Sequence, residues 1–239
     1  MTEISSPSPQ GQNETPASLG EAAQDYLKAI YSLSLAETRV LPSQLAERLG
    51  VSPAAVTKML RRLQELKLVS YERSQELALT ASGRKVALEV VRHHRLLELY
   101  LKEALGYTWD QVHPEAERLE HVISEEFEDR IDALLGYPTH DPHGDPIPTR
   151  DGHVPAPCYG TLAELEPGAT GVVRRVTDGD PAMLRYMGSL GLYPDAPVEM
   201  LGKAPYGGPI QVRVAGTERS VGRELAENVF VSPDEQRAE

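Results

Sequence analysis

The sequence predicts a mainly α-helical protein with β structure in its last third. Apolar residues recur at helical spacing through much of the stretch from 19 to 135. After Gly160 the pattern changes to short apolar runs that Gly and Pro separate, about five strands in all, which is typical of a small barrel. A stretch dense in proline, 138–159, lies between the two patterns and predicts a linker, because proline interrupts helices.

Charge is segregated along the chain. The 239 residues include 24 Lys and Arg against 36 Asp and Glu, a net charge of −12. From Arg39 to Arg95 basic residues outnumber acidic ones by eleven to five, whereas from Leu96 to Gly136 acidic residues prevail by eleven to three. This division favours an anionic partner for the first segment and a cation for the second.

Several classes of protein are disfavoured by the sequence. Its longest apolar runs fall short of the eighteen or so residues that a membrane-spanning helix needs. The first residues lack the basic and apolar pattern of a signal peptide. One cysteine, Cys158, cannot form a disulfide within the chain. These features together predict a cytoplasmic protein.

Turn and cap residues predict a helix-turn-helix. A first helix is expected from Leu19 to Leu35, and a second begins near Pro42 and stops at Gly50. Ser52 is placed as the N-cap of a third helix, with Pro53 in its first turn. That third helix carries the apolar residues Val56, Met59, Leu60, Leu63 and Leu66.

A β-ribbon, or wing, and two longer helices follow. Two extended segments, 68–72 and 77–80, flank a polar turn at Arg73-Ser74-Gln75. Ser82 is the expected cap of a long helix that ends near Leu105, and an amphipathic helix is expected from Pro114 to Leu135.

The third helix and the wing carry residues suited to double-stranded DNA. Small and polar side chains open the helix, as entry into a major groove requires, and arginines nearby can neutralise phosphates. The predicted DNA-contacting residues are Ser52, Ala54, Thr57, Lys58, Arg61, Arg62, Arg73 and Arg84.

Histidines and carboxylates recur at helical spacing farther along the chain. Glu117, Glu120 and His121 stand at i, i+3 and i+4, and His113 precedes them by one turn. On the preceding helix, His94 and Glu98 are also four residues apart. Two matched helices of this kind predict divalent metal sites between them.

These residues resemble the diphtheria toxin repressor family of metal-dependent transcriptional repressors, including its manganese-sensing branch. The resemblance covers about residues 20 to 150. It is carried by DYLKAIYSL from Asp25, LAERLGVSPAAVTKMLRRL from Leu45, LTASGR from Leu79, RHHRLLE from Arg92, VHPEAERLEHVISEE from Val112 and DPHGDPIP from Asp141. The segment from Tyr159 to Val231 is similar to the SH3-like domain that some members append.

The resemblance implies a homodimer that, when loaded with Mn(II) or Fe(II), binds a palindromic operator and represses metal-uptake genes. It implies a primary metal site made of Asp25, Glu117, Glu120 and His121. It implies an ancillary site made of His94, Glu98 and His113. The predicted domains are a tail (1–18), a winged helix-turn-helix (19–82), a helical dimerisation and metal-binding domain (83–137), the linker (138–159), the SH3-like domain (160–232) and a second tail (233–239).

Manganese is favoured over iron by the implied ligands. Asp25 and Glu117 are carboxylates, whereas iron-responsive relatives hold methionine and cysteine there, and oxygen donors suit Mn(II) better than sulfur does. Lys28 departs from the manganese branch, which has a second acid at that place, so the number of metal ions and Fe(II) stay open. Asp178 and Asp180 lie where some relatives donate further metal ligands, but neither is predicted to be a ligand in this chain.

The remaining histidines and acidic residues have a simpler interpretation. The loop histidines His140, His143 and His153 are expected to be solvated, as is the acidic helix face 125–129. Two alternatives remain for the function. One is a metal-independent winged-helix regulator whose acidic helices bind a protein or small molecule, and the other is a helical di-metal enzyme. The enzyme is disfavoured because the di-iron type needs a Glu-x-x-His motif on each of two helices.

Overall fold

A computed structural model describes residues 19–36, 39–71, 76–155 and 159–233. The chain forms two compact units that divide between Val90 and Val91. Within the described residues, every helix is too short or too polar to cross a membrane. The domain boundaries given above stay predictions.

The first unit contains the helix-turn-helix and the wing. Its elements are α1 (Glu21–Ala36), α2 (Pro42–Leu49), α3 (Pro53–Glu65), β1 (Val69–Ser70), β2 (Ala78–Leu79) and the start of α4 (Ala81–Leu105). β1 and β2 pair in antiparallel fashion, as the wing prediction requires. The turn predicted at 73–75 lies outside the described residues, since 72–75 are not among them.

The caps around the helix-turn-helix agree with the sequence. Gly50 ends α2 in the left-handed region (φ 63°, ψ 30°), where the absence of a Cβ avoids a steric penalty. Ser52 then caps α3, because its Oγ accepts a hydrogen bond of 3.2 Å from the Ala55 amide. Pro53 follows in the first turn.

The start of α4 differs from the prediction that Ser82 caps it. Ser82 lies inside the helix, and Thr80 is the cap, because its Oγ1 accepts a hydrogen bond of 3.1 Å from the Gly83 amide. A Cβ at Gly83 would lie 1.9 Å from the Leu68 carbonyl oxygen. Gly83 therefore allows α4 to approach the backbone just before the wing.

The second unit contains the rest of α4 and two shorter helices, α5 (Val112–Leu119) and α6 (Glu125–Leu134). The single helix predicted from Pro114 to Leu135 is wrong. The structure breaks it after Glu120, and Ser124 caps α6 by accepting a hydrogen bond of 3.2 Å from the Phe127 amide. Apolar side chains of the three helices form one core, which includes Leu96, Leu97, Leu101, Val112, Ala116 and Ile131.

The Pro-rich stretch is irregular, as predicted, but much of it is buried. Residues 141–144 and 146–148 are all shielded from solvent. Gly144 adopts a φ of 89°, and a Cβ there would lie 1.9 Å from the carbonyl oxygen of Arg174. This stretch therefore packs tightly against the β domain within the second unit.

The last third forms a six-stranded antiparallel sheet in the order β3-β8-β4-β5-β6-β7. Its elements are β3 (Gly160–Thr161), β4 (Thr170–Val176), α7 (Pro181–Leu190), β5 (Pro197–Lys203), β6 (Ile210–Val214), β7 (Thr217–Val221), α8 (Arg223–Glu227) and β8 (Val229–Pro233). Leu184 and Met187 of α7 join Trp109 in the core of this domain. The β character of the domain is thus confirmed, whereas α7 and α8 are additions to the prediction.

Candidate functional site

The candidate DNA-reading helix, α3, has one apolar and one exposed face. Val56, Leu60 and Leu63 are fully buried. The predicted DNA-contacting residues on the opposite face are all exposed: Ala54, Thr57, Lys58, Arg61 and Arg62. The surface that the sequence assigns to DNA is therefore open to solvent in the described part of the first unit.

Some residues of this prediction also contact other parts of the chain, and one lies outside the described residues. The Thr57 Oγ1 donates to the Pro53 carbonyl oxygen at 3.0 Å, while Ser52 serves as the helix cap. The exposed Arg84 guanidinium lies 5.2 Å from the centre of the Tyr31 ring. Arg73 lies outside the described residues.

The second unit contains two clusters of potential metal ligands that share His94. Nε2 of His94 lies 2.9 Å from Oε1 of Glu98, and its Nδ1 lies 2.5 Å from Oε2 of Glu120. We call the first group the Glu98 cluster, made of His94, Glu98, His113 and Asp178. The second is the Glu120 cluster, made of His94, Glu117 and Glu120.

The Glu98 cluster joins α4, α5 and the β domain. Nδ1 of His113 lies 3.1 Å from Glu98 Oε1 and 3.5 Å from Asp178 Oδ2. Burial alone would lower the pKa of His113, but hydrogen bonds and negative charge from Asp178 and Glu98 raise it to about 10. Burial alone would raise the pKa of Glu98. His94, His113 and His143 nevertheless hold that pKa well below its usual range.

Asp178 is a member of this cluster that sequence reasoning did not select. Only the resemblance pointed to that stretch. Local patterns could not, because Asp178 and His113 are far apart in the sequence and meet only once the β domain has folded. Asp180, weighed beside it, instead caps α7 by accepting a hydrogen bond of 2.8 Å from the Ala182 amide.

A third group, the inner pocket, consists of Glu98, Asp141 and His143. All three residues are buried, His143 and Glu98 completely. Oε2 of Glu98 and Nδ1 of His143 have no hydrogen-bond partner among the described residues. Burial and the charges of Glu98 and Asp145 raise the pKa of Asp141 to about 8. The pocket thus holds two carboxyl groups and an imidazole close together, shielded from solvent.

The expectation that His143 is solvated is therefore wrong. Its Nε2 donates to the Trp109 carbonyl oxygen at 2.7 Å, and burial alone would lower its pKa, but Glu98 raises that pKa to about 9. His140 and His153 are exposed, as predicted. The sequence offers no local signal for this difference, because packing against the β domain is what buries His143.

The Glu120 cluster is partly open to solvent. Glu120 is buried and Glu117 is exposed, and Nε2 of His121 lies 3.5 Å from Oε1 of Glu120. The fourth ligand implied for the primary site, Asp25, lies on α1 in the first unit. Its participation stays a prediction.

The acidic face at 125–129 is not uniformly solvated. Glu128 is buried, and its Oε1 accepts a hydrogen bond of 2.5 Å from Nε of Arg92. Burial alone would raise the pKa of Glu128, but His93 and Arg92 hold it at about 2. This carboxylate is therefore paired inside the protein, unlike its exposed neighbours Glu125 and Glu126.

The donor atoms fit a divalent cation of the first transition row. Each group combines carboxylate oxygen with imidazole nitrogen, and the ligand atoms of each group lie within 4.8 Å of one another. The two buried atoms without partners in the inner pocket fit the same interpretation, because both can donate a lone pair.

Three family models match the chain in consecutive order. They are described as the N-terminal DNA binding domain of iron dependent repressors (residues 18–77), their metal binding and dimerisation domain (80–149) and the FeoA domain (160–233). The iron-dependent repressor IdeR of Mycobacterium tuberculosis is 33% identical over 226 residues, which are 89% of this chain and 97% of that protein. The chain belongs to the diphtheria toxin repressor family. The resemblance, the metal-dependent regulatory function and the fold class predicted from the sequence are thus confirmed.

Other members of the family and their structures agree. The diphtheria toxin repressor of Corynebacterium jeikeium is 36% identical over 133 residues, 56% of this chain and 55% of that protein. A structure of a manganese-dependent transcriptional repressor in complex with manganese is 43% identical, covers 89% of this chain and 100% of its own, and has a TM-score of 0.82. The manganese regulator SloR is 32% identical, with coverages of 89% and 98% and a TM-score of 0.72. These relatives are named as repressors or, for SloR, as a regulator, and their names include both iron and manganese.

Proposed function

We propose that this family member is a Mn(II)-activated repressor that binds a palindromic operator as a homodimer and represses metal-uptake genes. The observation that carries this proposal is the pair of ligand clusters joined through His94. A regulator of this kind acts where the DNA is, so we place it in the cytoplasm.

The Glu98 cluster contains the three residues implied for the ancillary site, and the Glu120 cluster contains Glu117 and Glu120 of the primary site. Glu117, Glu120 and His121 would hold the primary cation together with Asp25, and His94, Glu98 and His113 would hold the ancillary one. Asp178 extends the ancillary set, and the inner pocket adjoins it through Glu98. When bound, a divalent cation supplies the positive charge that relieves repulsion among these carboxylates.

Manganese is the metal that the ligands favour. The clusters offer oxygen and nitrogen atoms, and carboxylate oxygen suits Mn(II). The 43% identity to a repressor solved with manganese supports this choice. Fe(II) is the alternative, because the mycobacterial relatives at 33% identity are named for iron.

The partner on the protein side is a second copy of the chain. An apolar groove between α4, α5 and α6 is lined by Tyr100, Leu101, Leu105, Leu119, Val122, Ile123 and Phe127. Several of these side chains are exposed, Val122 to 65%. A second copy is the occupant we infer, because this part of the chain matches a dimerisation domain. A two-fold dimer would present two α3 helices to a palindrome.

A binding experiment with the full chain tests the proposal. DNA selected from a random pool in the presence of Mn(II) serves as the probe in fluorescence anisotropy. We expect a chelator to abolish specific binding and Glu120→Gln to weaken it on the order of tenfold or more at fixed Mn(II). His140→Asn, a substitution at an exposed loop histidine, is the control. Equal binding by metal-free and loaded protein would support the metal-independent regulator instead.

A further inference from the structure

Two consecutive histidines of α4 contact Glu120, one at its side chain and the other at its backbone. Nδ1 of His94 contacts the carboxylate, whereas Nδ1 of His93 lies 3.0 Å from the Glu120 backbone carbonyl oxygen. The proposed metal sites include His94 but give no role to His93. His93 is nevertheless buried, with 8% of its surface exposed, and both of its ring nitrogens have partners within the second unit.

The contact with the backbone follows from the break between α5 and α6. Glu120 is the residue at which α5 ends, and the last carbonyls of a helix lack amide partners within it. Because a carbonyl oxygen only accepts, His93 is placed as the donor. Its ring also stands at the end of α5 where positive charge is stabilising.

The opposite side of the His93 ring is anchored as well. Its Nε2 lies 3.2 Å from Oε2 of Glu128 on α6. Glu128 accepts a second bond from Arg92, whose guanidinium also donates to the Pro148 carbonyl oxygen at 2.9 Å. The ring therefore has both nitrogens engaged, and it ties the end of α5 to α6.

We propose that His93 is a positioning residue that fixes the turn bearing Glu120 and His121, so that both side chains are held ready for a cation. The inference rests on the proposed metal role of Glu120. Residues that orient metal ligands change metal affinity by about 10–100-fold when they are replaced. Such an effect arises because an unfixed ligand must be ordered when the ion binds.

Two variants of the full chain separate positioning from packing. His93→Asn retains a donor at the place of Nδ1, toward Glu120, whereas His93→Gln retains one at the place of Nε2, toward Glu128. Both remove the same ring and its capacity for charge. We expect His93→Gln to lower Mn(II) affinity about tenfold or more in titration calorimetry, and His93→Asn to stay within about threefold of the wild type. The unfolding temperature of each metal-free variant is measured beside it, with His140→Asn as the control.

The outcomes are distinct. Wild-type affinity in His93→Gln would overturn the inference, as would an equal loss of affinity in both variants. If His93→Gln does not fold, a folded His93→Asn that has lost tenfold or more in Mn(II) affinity overturns it, and one that has kept its affinity supports it. Absence of Mn(II) binding by the wild-type chain would instead contradict the proposed function, so the two failures can be told apart.

Discussion

Glu98 Oε2 and His143 Nδ1 face each other across 3.7 Å, fully buried, and neither has a hydrogen-bond partner among the described residues. The other nitrogen of His143 donates to the Trp109 carbonyl, so Nδ1 is left with a lone pair in the neutral ring. Two lone pairs that face each other and are buried away from solvent require a positive charge between or beside them. In the metal-free chain a proton supplies that charge, because, although burial alone would lower it, Glu98 raises the pKa of His143 to about 9.

Substitution of Asp141 in the inner pocket should separate stability from metal affinity. Asp141→Asn removes a buried acid while keeping an oxygen for the amides of His143 and Asp145, which bond to Oδ1. We expect the metal-free chain to gain roughly 1–4 kcal/mol of unfolding free energy, because the cost of burying an acid beside Glu98 exceeds its attraction to Arg95. Stabilisation by added Mn(II) should shrink. Urea unfolding with and without Mn(II) measures both, and a variant that loses stability without metal contradicts the interpretation.

The ion pairs of the buried Glu128 should make the stability of the protein depend on pH in the acid range. Its pKa is lowered from 4.5 to about 2, so its stabilising effect is complete above pH 4.5 and is lost as the pH falls toward 2. At pH 7 this effect is worth on the order of 3 kcal/mol. Glu128→Gln should therefore be less stable than the wild type at pH 7, and the difference should narrow by pH 2.5. A difference independent of pH, measured by chemical unfolding, would mean that packing rather than charge is lost.

A charge in the apolar groove should dissociate the proposed dimer. Val122 is 65% exposed in a single protomer, so Val122→Asp should introduce a carboxylate without affecting the folding of the protomer. We expect sedimentation equilibrium to show a monomer. Leu35→Asp is the matched control, because Leu35 is 66% exposed and does not line the groove. A dimer that survives Val122→Asp would place the interface elsewhere.

Phosphate contacts by α3 should be visible in the salt dependence of DNA binding. Arg61 is exposed on the face of α3 opposite its apolar residues. Arg61→Gln should lower the magnitude of the slope of log affinity against log salt concentration by about one. Lys102→Gln changes a half-buried lysine of the second unit that pairs with Glu103, and it should leave the slope unchanged. An unchanged slope for Arg61→Gln would remove this residue from the contact surface.

Local patterns in the sequence were sufficient for much of the fold. Gly50, Ser52 and Pro53 act through the backbone conformation of their own turn, so the helix-turn-helix could be predicted from them. The pairs at four-residue spacing, such as His94 and Glu98, depend only on helix geometry, and they meet as predicted. The helix break before α6 was missed because the helical periodicity of apolar residues continues across it. The only local signal is a single cap residue, Ser124.

The sequence by itself determined the helix-turn-helix, the change from helical to β structure in the last third, the family and the ligands that share a helix face, because these depend on neighbours within about one turn or one motif. Only the tertiary structure decided that Asp178 and His143 join Glu98, and that His93 holds the Glu120 carbonyl. Those contacts join residues 27 to 80 positions apart, and they form because polar groups that folding buries must find partners within the chain.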